Sequence, residues 1–114
     1  MAMSSNSFLL DKELPWEDLG AGVSRQVLGY NQELMLVKFK FTTGSFGALH
    51  HHIHSQSAVV ISGRFEVTIN GEKKILSAGD GYFVEPGVEH GALCIEEGIL
   101  IDAFNPTRID FLSN

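Results

Sequence analysis

Short runs of alternating hydrophobic and polar residues, separated by glycines, make up most of the chain after residue 20. Alternation at every second position is typical of a strand with one buried face, and no window keeps a helical period. We predict strands at residues 34–41, 58–61, 64–69, 82–84 and 99–104, and a short strand at residues 8–10. Residues 14–19 contain a proline and a tryptophan, and we predict a bent connector there.

One hairpin is specified in detail. Hydrophobic residues at 65, 67 and 69 alternate with polar ones, and the dipeptide Asn70-Gly71 follows. A two-residue type I′ turn requires positive φ at both positions, and Asn-Gly is the pair that meets this requirement. We therefore predict a return strand over residues 72–76, followed by a turn at residues 78–80.

Many short strands with turn residues at near-even spacing indicate an all-β sandwich or barrel with little or no helix. The chain has 114 residues and contains no internal repeat or linker. We therefore predict one domain over residues 1–114, with residues 1–7 flexible because they are small and polar.

Composition narrows the functional classes. The formal net charge is -6, which argues against nucleic acid as a partner because binding to phosphates requires a basic surface. No apolar run approaches the length of a membrane span, and residues 1–20 show no basic segment followed by an apolar one. The one cysteine, Cys94, cannot form an internal disulfide. We expect a cytoplasmic protein without a membrane partner.

Four of the five histidines fall within five positions, at His50, His51, His52 and His54, and the fifth is His90. If the first cluster is extended, His50 and His52 share a face and His51 lies on the other. Two imidazoles on one face can bind zinc, nickel, copper or iron. The alternative is a solvated polar loop; a purification tag is disfavoured because the cluster lies in mid-chain.

The spacing around these histidines extends into two motifs. The first has Gly44, then His50 and His52, then Gln56 and Gly63; the second has Gly79-Asp80, Glu85-Pro86-Gly87 and His90. Together they resemble the paired motifs of the cupin superfamily. The resemblance implies a single cupin β-barrel, also called a double-stranded jelly roll. It also implies one divalent transition metal (Ni, Zn, Fe or Mn) on His50, His52, Gln56 and His90.

This chain departs from the cupin motifs at two positions. Gln56 stands where a glutamate is usual, so an all-neutral ligand set would leave the metal its full charge and make it a stronger Lewis acid. Cys94 stands where an asparagine is usual, and we expect a buried, inert thiol rather than a ligand. We expect His51 to point outward and His54 to lie beside the ligands or in the cavity wall.

A second resemblance covers nearly the whole chain. The segments are Trp16-Glu17-Asp18-Leu19-Gly20, Arg25-Gln26-Val27-Leu28-Gly29-Tyr30, Gly47-Ala48-Leu49-His50, Gly63-Arg64-Phe65-Glu66, Gly71-Glu72-Lys73 and Asp102-Ala103-Phe104-Asn105-Pro106-Thr107-Arg108. They resemble the KdgF-type pectin-degradation cupins, although Ile53, Ser55, Ser57 and Ala58 differ from the family pattern. The resemblance implies a homodimer that acts on small anionic sugar acids. These are 4,5-unsaturated monouronates, which the enzyme opens and tautomerises to 5-keto-4-deoxyuronate. Asp102, Phe104 and Arg108 would be catalytic.

The residues themselves favour part of this assignment. Asp102 alternates with Leu100 and Phe104, and a carboxylate on so apolar a face is costly unless it is paired or used. The alternatives are that Asp102 ends a strand or pairs with Arg108. Arg108 follows Asn105-Pro106 in a loop and suits a substrate carboxylate, although it could also be an exposed solubilising residue. Arg25 and Arg64 are alternative carboxylate partners, and Phe104 could be plain core.

Two other functions remain open at this point. The first is a metal-dependent dioxygenase of the small cupin type, and the second is a non-catalytic module that binds a sugar or small acid. Four protein ligands on an octahedral metal leave positions for a substrate, which favours an enzyme over a binding module. The predicted strand at residues 8–10 would lie at a sheet edge, where it could pair with a second chain.

Overall fold

The computed structural model describes residues 3–112, which form eight strands and two short 3₁₀ helices. The strands are β1 (Glu17–Gly20), β2 (Val23–Tyr30), β3 (Met35–Phe41), β4 (Phe46–His50), β5 (Ser55–Ile69), β6 (Glu72–Ser77), β7 (Gly81–Val84) and β8 (His90–Asn105). The 3₁₀ helices are Asp11–Glu13 and Ile109–Phe111. The prediction of an all-β fold with little helix is therefore confirmed.

All strand pairs are antiparallel. The order across the sheet is β1-β2-β3-β8-β5-β6, with β4 paired to β8 and β7 paired to β5. This is a cupin-like jelly-roll sandwich, and within residues 3–112 the pairings follow an open path rather than a closed ring of strands. No helix in the described part of the chain is both long and apolar enough to cross a membrane.

The two longest strands, β5 and β8, are neighbours within the sheet. β5 and β8 pair over almost their whole lengths, from Ser55 opposite Asn105 to Ile69 opposite His90. The separate strands predicted at 58–61 and 64–69 are thus one strand with register shifts between Val60 and Phe65. The predicted strand at 99–104 is the last part of β8. Gly63, which has φ of 81°, marks an irregularity within β5 rather than the end of a strand.

The predicted hairpin is confirmed. Asn70 has φ of 50° and Gly71 has φ of 82°, as a type I′ turn requires. Ile69 pairs with Glu72, and β6 is the return strand. The local sequence was sufficient here because Asn-Gly specifies the turn, and the turn type fixes the register of the two strands.

The N-terminal predictions were wrong in two places. Residues 8–10 are not a strand, and β1 begins at Glu17 inside the predicted connector, where it pairs with Arg25 of β2. The segment between them is held by the Gln26 side chain, which donates hydrogen bonds to the carbonyl oxygens of Asp11 and Leu14. The predicted edge strand is therefore no basis for pairing with a second copy, and the homodimer stays a prediction.

The ends of the chain are described in part. Ser5 bonds to Tyr30 through both its backbone and its hydroxyl group. Residues 1 and 2, within the segment predicted to be flexible, lie outside the described residues, as do residues 113 and 114.

The core consists of two clusters inside the sandwich. The first contains Phe41, Val60, Phe65, Val67, Cys94 and Leu100, and the second contains Met35, Val37, Phe104 and Phe111. Burial of each large side chain stabilises the fold by about 1.5–3 kcal/mol. Cys94 is fully buried in the first cluster, as expected for an inert thiol.

Candidate metal centre

His50 and His90 lie opposite each other on neighbouring strands. His50 is the last residue of β4, His90 is the first of β8, and the two pair in register with ring centroids 4.4 Å apart. Glycine at position 91 permits this approach, because a Cβ there would lie 2.8 Å from the carbonyl oxygen of Gly47. The strand pairing thus fixes two of the three histidines.

His52 lies beside the other two histidines, but the structural reason differs from the predicted one. β4 ends at His50, so strand alternation does not place His52. The chain bends at residues 53–54 before β5 begins, as expected. The centroid of the His52 ring lies 4.8 Å from that of the His90 ring. The ligating nitrogens of His50, His52 and His90 all lie within 4.8 Å of one another, so this group fits a metal ion.

The outer nitrogens of two rings are fixed by backbone carbonyls. Nδ1 of His50 lies 2.7 Å from the oxygen of Ala48, and Nδ1 of His90 lies 2.9 Å from the oxygen of Val88. Each Nδ1–H therefore donates to a carbonyl, and each Nε2 keeps its lone pair. Metal-binding histidines are commonly oriented in this way.

Gln56 lies on β5 with its amide oxygen toward the histidines. Oε1 is 3.0 Å from Nε2 of His52 and 3.1 Å from Nε2 of His90. Burial lowers the pKa of His90 to about 4, so the ring is neutral and has one N–H to donate. Because the Val88 carbonyl accepts that hydrogen, the lone pair of His90 Nε2 faces a lone pair of the Gln56 oxygen. A cation between these two acceptors would satisfy both, so the donor set fits a metal.

Asp102 lies next to this group in the interior of β8, so the alternative that it ends a strand is wrong. Its Oδ2 accepts a 3.1 Å hydrogen bond from Nε2 of Gln56. Its Oδ1 is buried and has no hydrogen-bond partner among residues 3–112. Burial raises the pKa of Asp102 to about 7, although the Arg108 charge and the Gln56 hydrogen bond both lower it.

Arg108 follows β8 and is mostly buried, unlike a solubilising surface arginine. Its Nε and Nη2 donate hydrogen bonds to the two carboxylate oxygens of Asp110, at 3.1 and 2.9 Å. Its guanidinium lies over the rings of Phe104 and Phe111, 5.1 and 4.2 Å from their centroids. Asp110 is thus the carboxylate bonded to Arg108, whereas the alternative predicted an ion pair with Asp102.

A cavity of about 150 Å³ is lined by several of these residues. Its polar lining comprises His50, Gln56, Tyr82, His90, Asp102 and Arg108, and its apolar lining includes Phe39, Phe41, Leu100, Phe104 and Phe111. Phe104 is buried and belongs to the second core cluster, so it serves as core and cavity wall together.

Tyr82 was missed by sequence reasoning. It lies on β7 and lines the cavity together with Gln56 and Asp102. Burial and, next, the charge of Asp102 raise the pKa of Tyr82 well above its usual value. The sequence showed a short strand but no sign that its tyrosine would face two polar residues of distant strands.

The remaining candidates lie at the edge of the site or away from it. His51 is exposed, as expected, and the His54 ring packs against those of His52 and Phe104. Arg25 bonds to Glu17, and Arg64 bonds to Glu96. As far as the structure describes the chain, neither arginine lines the histidine cavity.

Comparisons of the sequence find similar known proteins. A family model described as Cupin domain matches residues 37–101. The chain is 46% identical over 107 residues to the pectin degradation protein KdgF of Dickeya dadantii, covering 92% of this chain and 97% of that protein.

Two solved structures have a similar fold. An RmlC-like cupin from Shewanella frigidimarina superimposes with a TM-score of 0.95 at 47% identity, covering 96% of this chain and 99% of that one. KdgF from Halomonas sp. superimposes with a TM-score of 0.90 at 37% identity, covering 95% and 100%.

Proposed function

This chain belongs to the cupin family, and we propose that it is a metal-dependent enzyme acting on 4,5-unsaturated monouronates from pectin or alginate breakdown. The product would be the linear 5-keto-4-deoxyuronate. The observation that carries the proposal is the buried Asp102 carboxyl, one hydrogen bond from a histidine-glutamine cluster that fits a metal. The resemblance to two KdgF proteins, one named for pectin degradation, supports this substrate class.

The proposed metal ligands are His50, His52, Gln56 and His90. All four are neutral donors, so they would leave the charge of a divalent cation uncompensated. A metal bound there would supply Lewis-acid stabilisation of negative charge on the substrate oxygens. Nickel, zinc, iron and manganese all accept imidazole nitrogen, and metal analysis of the purified protein would identify the native ion.

The cavity supports a small substrate. Its volume of about 150 Å³ is well below the 300 Å³ or so at which pockets begin to hold drug-sized ligands. A single sugar-acid ring is therefore favoured over a polymer chain. The apolar wall, including Phe104, would pack against the carbon face of such a ring.

Arg108 is the proposed partner of the substrate carboxylate. The guanidinium lines the cavity, and its bidentate bond to Asp110 fixes its orientation before any ligand binds. A fixed planar cation loses less entropy on binding a carboxylate than a mobile one does. The remaining N–H groups of Arg108 would donate to the uronate.

Asp102 is the proposed proton carrier. Its free Oδ1 would accept the proton of the C1 hydroxyl as the C1–O5 bond breaks, which leaves an aldehyde at C1 and an enolate at C5. The same carboxyl would then return that proton to C4, giving the C5 ketone. No proton is gained or lost overall, and a positioned acid-base group contributes about two to four orders of magnitude in rate.

The test is incubation with 4,5-unsaturated galacturonate, followed by the loss of its enol-ether absorbance against the uncatalysed rate. We expect acceleration that a chelator abolishes and added metal restores. No acceleration by metal-loaded protein on this substrate or on its alginate-derived analogue would contradict the proposal. Oxygen consumption with iron would then indicate a dioxygenase, and ligand-induced stabilisation without turnover would indicate a binding module.

A further inference from the structure

Phe111 lies between two arginine side chains. Its ring centroid is 4.2 Å from Cζ of Arg108 and 3.9 Å from Cζ of Arg25. The histidine cavity is lined by Phe111 and Arg108, whereas a second cavity, beside the N-terminal residues, is lined by Phe111 and Arg25. The two cations therefore approach the ring from opposite sides. Both faces of an aromatic ring carry negative potential, so both contacts are attractive.

The Phe111 ring is itself held by the fold. It is 9% exposed and belongs to the second core cluster. The rings of Phe104 and Phe39 pack against it in near-perpendicular arrangements, with centroids 5.7 and 6.0 Å away. On its other side, Arg25 is bonded to Glu17 at 2.9 Å. The ring is therefore a fixed surface that belongs to the core.

The bond between Arg108 and Asp110 does not by itself tie the guanidinium to the core. Both residues lie in the same short segment after β8, and the Asp110 side chain is 61% exposed. The two could therefore move together without breaking their bond. Phe111 differs from Asp110 because it is buried and touches the guanidinium directly. Phe104 also faces the guanidinium, but from 5.1 Å.

We propose that Phe111 is a positioning residue for Arg108, which holds the guanidinium ready to receive a substrate carboxylate. The Asp110 bonds use Nε and Nη2, so the two hydrogens of Nη1 are left for the ligand. Without the ring, Arg108 would have to be ordered when the substrate binds, and this entropy cost weakens binding. The inference rests on Arg108 binding the substrate carboxylate, as in the proposed function.

The test compares Phe111→Leu, which keeps an apolar side chain without a ring, with Phe111→Tyr, which keeps the ring. The first readout is the ¹⁵N heteronuclear NOE of the arginine Nε–H groups in labelled protein without substrate, which reports their order. The chain has three arginines, at positions 25, 64 and 108, and substituting each with lysine assigns its signal. We expect the NOE of Arg108 to fall in Phe111→Leu and to keep its wild-type value in Phe111→Tyr. Arg64, which bonds to Glu96 at the surface, should be unchanged in both.

The second readout is steady-state kinetics with 4,5-unsaturated galacturonate. Phe111→Leu should raise KM about fivefold at constant kcat, the size expected from one cation–π contact that supports binding alone. Phe111→Tyr should keep the wild-type KM. Phe65→Leu is the matched control because it makes the same change in the first core cluster. It should lower the urea midpoint and leave both KM and the NOE of Arg108 unchanged.

Three results would overturn the proposal: an unchanged NOE of Arg108 in Phe111→Leu, an unchanged KM in that variant, or equal losses in Phe65→Leu. If Phe111→Leu does not fold, Arg25→Lys is a milder test, since it removes the planar group from the far side of the ring. It should lower the NOE of Arg108 to a smaller extent, and an unchanged value there would also contradict the proposal. Wild-type protein that leaves unsaturated uronates unchanged would contradict the proposed function, whereas a lower NOE of Arg108 in Phe111→Leu would still show that Phe111 orders this arginine.

Discussion

Gln56 and Asp102 are joined by a 3.1 Å hydrogen bond from the amide nitrogen to Oδ2, while the oxygen of the same amide faces two histidines. One side chain therefore links the group that fits a metal to a buried carboxyl. The other oxygen of Asp102, Oδ1, has no hydrogen-bond partner in the described structure. A buried carboxyl that is held by one oxygen and has the other unpartnered suits proton transfer.

The first prediction concerns Asp102→Asn. Asparagine has nearly the same shape and can still accept the Gln56 hydrogen bond, so the variant should bind as much metal as the wild type. It cannot carry the proton, and kcat should fall about 10²- to 10⁴-fold. Turnover would be measured by the absorbance of 4,5-unsaturated galacturonate, and bound metal by elemental analysis.

The matched control is Asp18→Asn, since Asp18 is an exposed residue whose carboxylate bonds to the backbone of Gly20. It should retain wild-type kcat. Undiminished turnover in Asp102→Asn would remove Asp102 from the mechanism, and a parallel loss of bound metal would assign it a structural role at the site.

The second prediction concerns Arg108→Lys. Lysine keeps the charge but not the planar fork, so the two-point bond to Asp110 and the proposed bond to the substrate carboxylate are both lost. We expect KM to rise about tenfold, which corresponds to about 1.4 kcal/mol. Steady-state kinetics with the same uronate measure this change.

Arg64→Lys is the control for that substitution because Arg64 makes a similar ion pair with Glu96 at the surface. Its KM should stay at the wild-type value. A fall in kcat at constant KM in Arg108→Lys would contradict a role in binding the carboxylate.

Features encoded in local sequence were predicted well. The Asn70-Gly71 turn and the alternation along β5 required only neighbouring residues, and the structure has both. The histidine group was predicted from spacing, although the expected reason was incomplete. His52 arrives through a bend after β4 rather than through strand alternation.

Features that depend on pairing between distant strands were missed. Tyr82 and Asp102 lie in one row of the sheet only because both pair with Ala58, and the pairing of β5 with β7 and with β8 sets that register. The partner of Arg108 was also missed, since Asp110 lies two residues away in a 3₁₀ turn that the sequence does not mark. The first feature depends on tertiary contacts, and the second depends on the local conformation of residues 108–110, which no sequence pattern marked.

The third prediction compares metal binding after substitution of two adjacent histidines. His52→Ala should lose most of its bound metal, because only three of the four proposed ligands would remain to hold the ion. His51→Ala is the matched control, since His51 is exposed one residue away. Elemental analysis after dialysis measures both. Full metal occupancy in His52→Ala would refute the proposed ligand set.

The fourth prediction concerns stability with and without metal. A ligand that binds only the folded state adds about 2.7 kcal/mol to the free energy of unfolding at 100 times its Kd. Chelation of the wild type should therefore lower the urea midpoint at constant slope. In His52→Ala the same chelation should leave the midpoint unchanged, and an equal shift in both proteins would place the metal elsewhere.

The last prediction tests the first core cluster with two phenylalanines of opposite burial. Phe65 is 0% exposed and packs edge-on against Phe41 with ring centroids 5.3 Å apart, whereas Phe8 is 87% exposed. Phe65→Ala should lower the free energy of unfolding by about 3–5 kcal/mol, because it removes buried apolar surface and leaves a cavity. Phe8→Ala should change it by less than about 0.5 kcal/mol. Urea unfolding in the presence of a chelator compares the two variants without a contribution from bound metal. Equal effects in both variants would contradict the described packing.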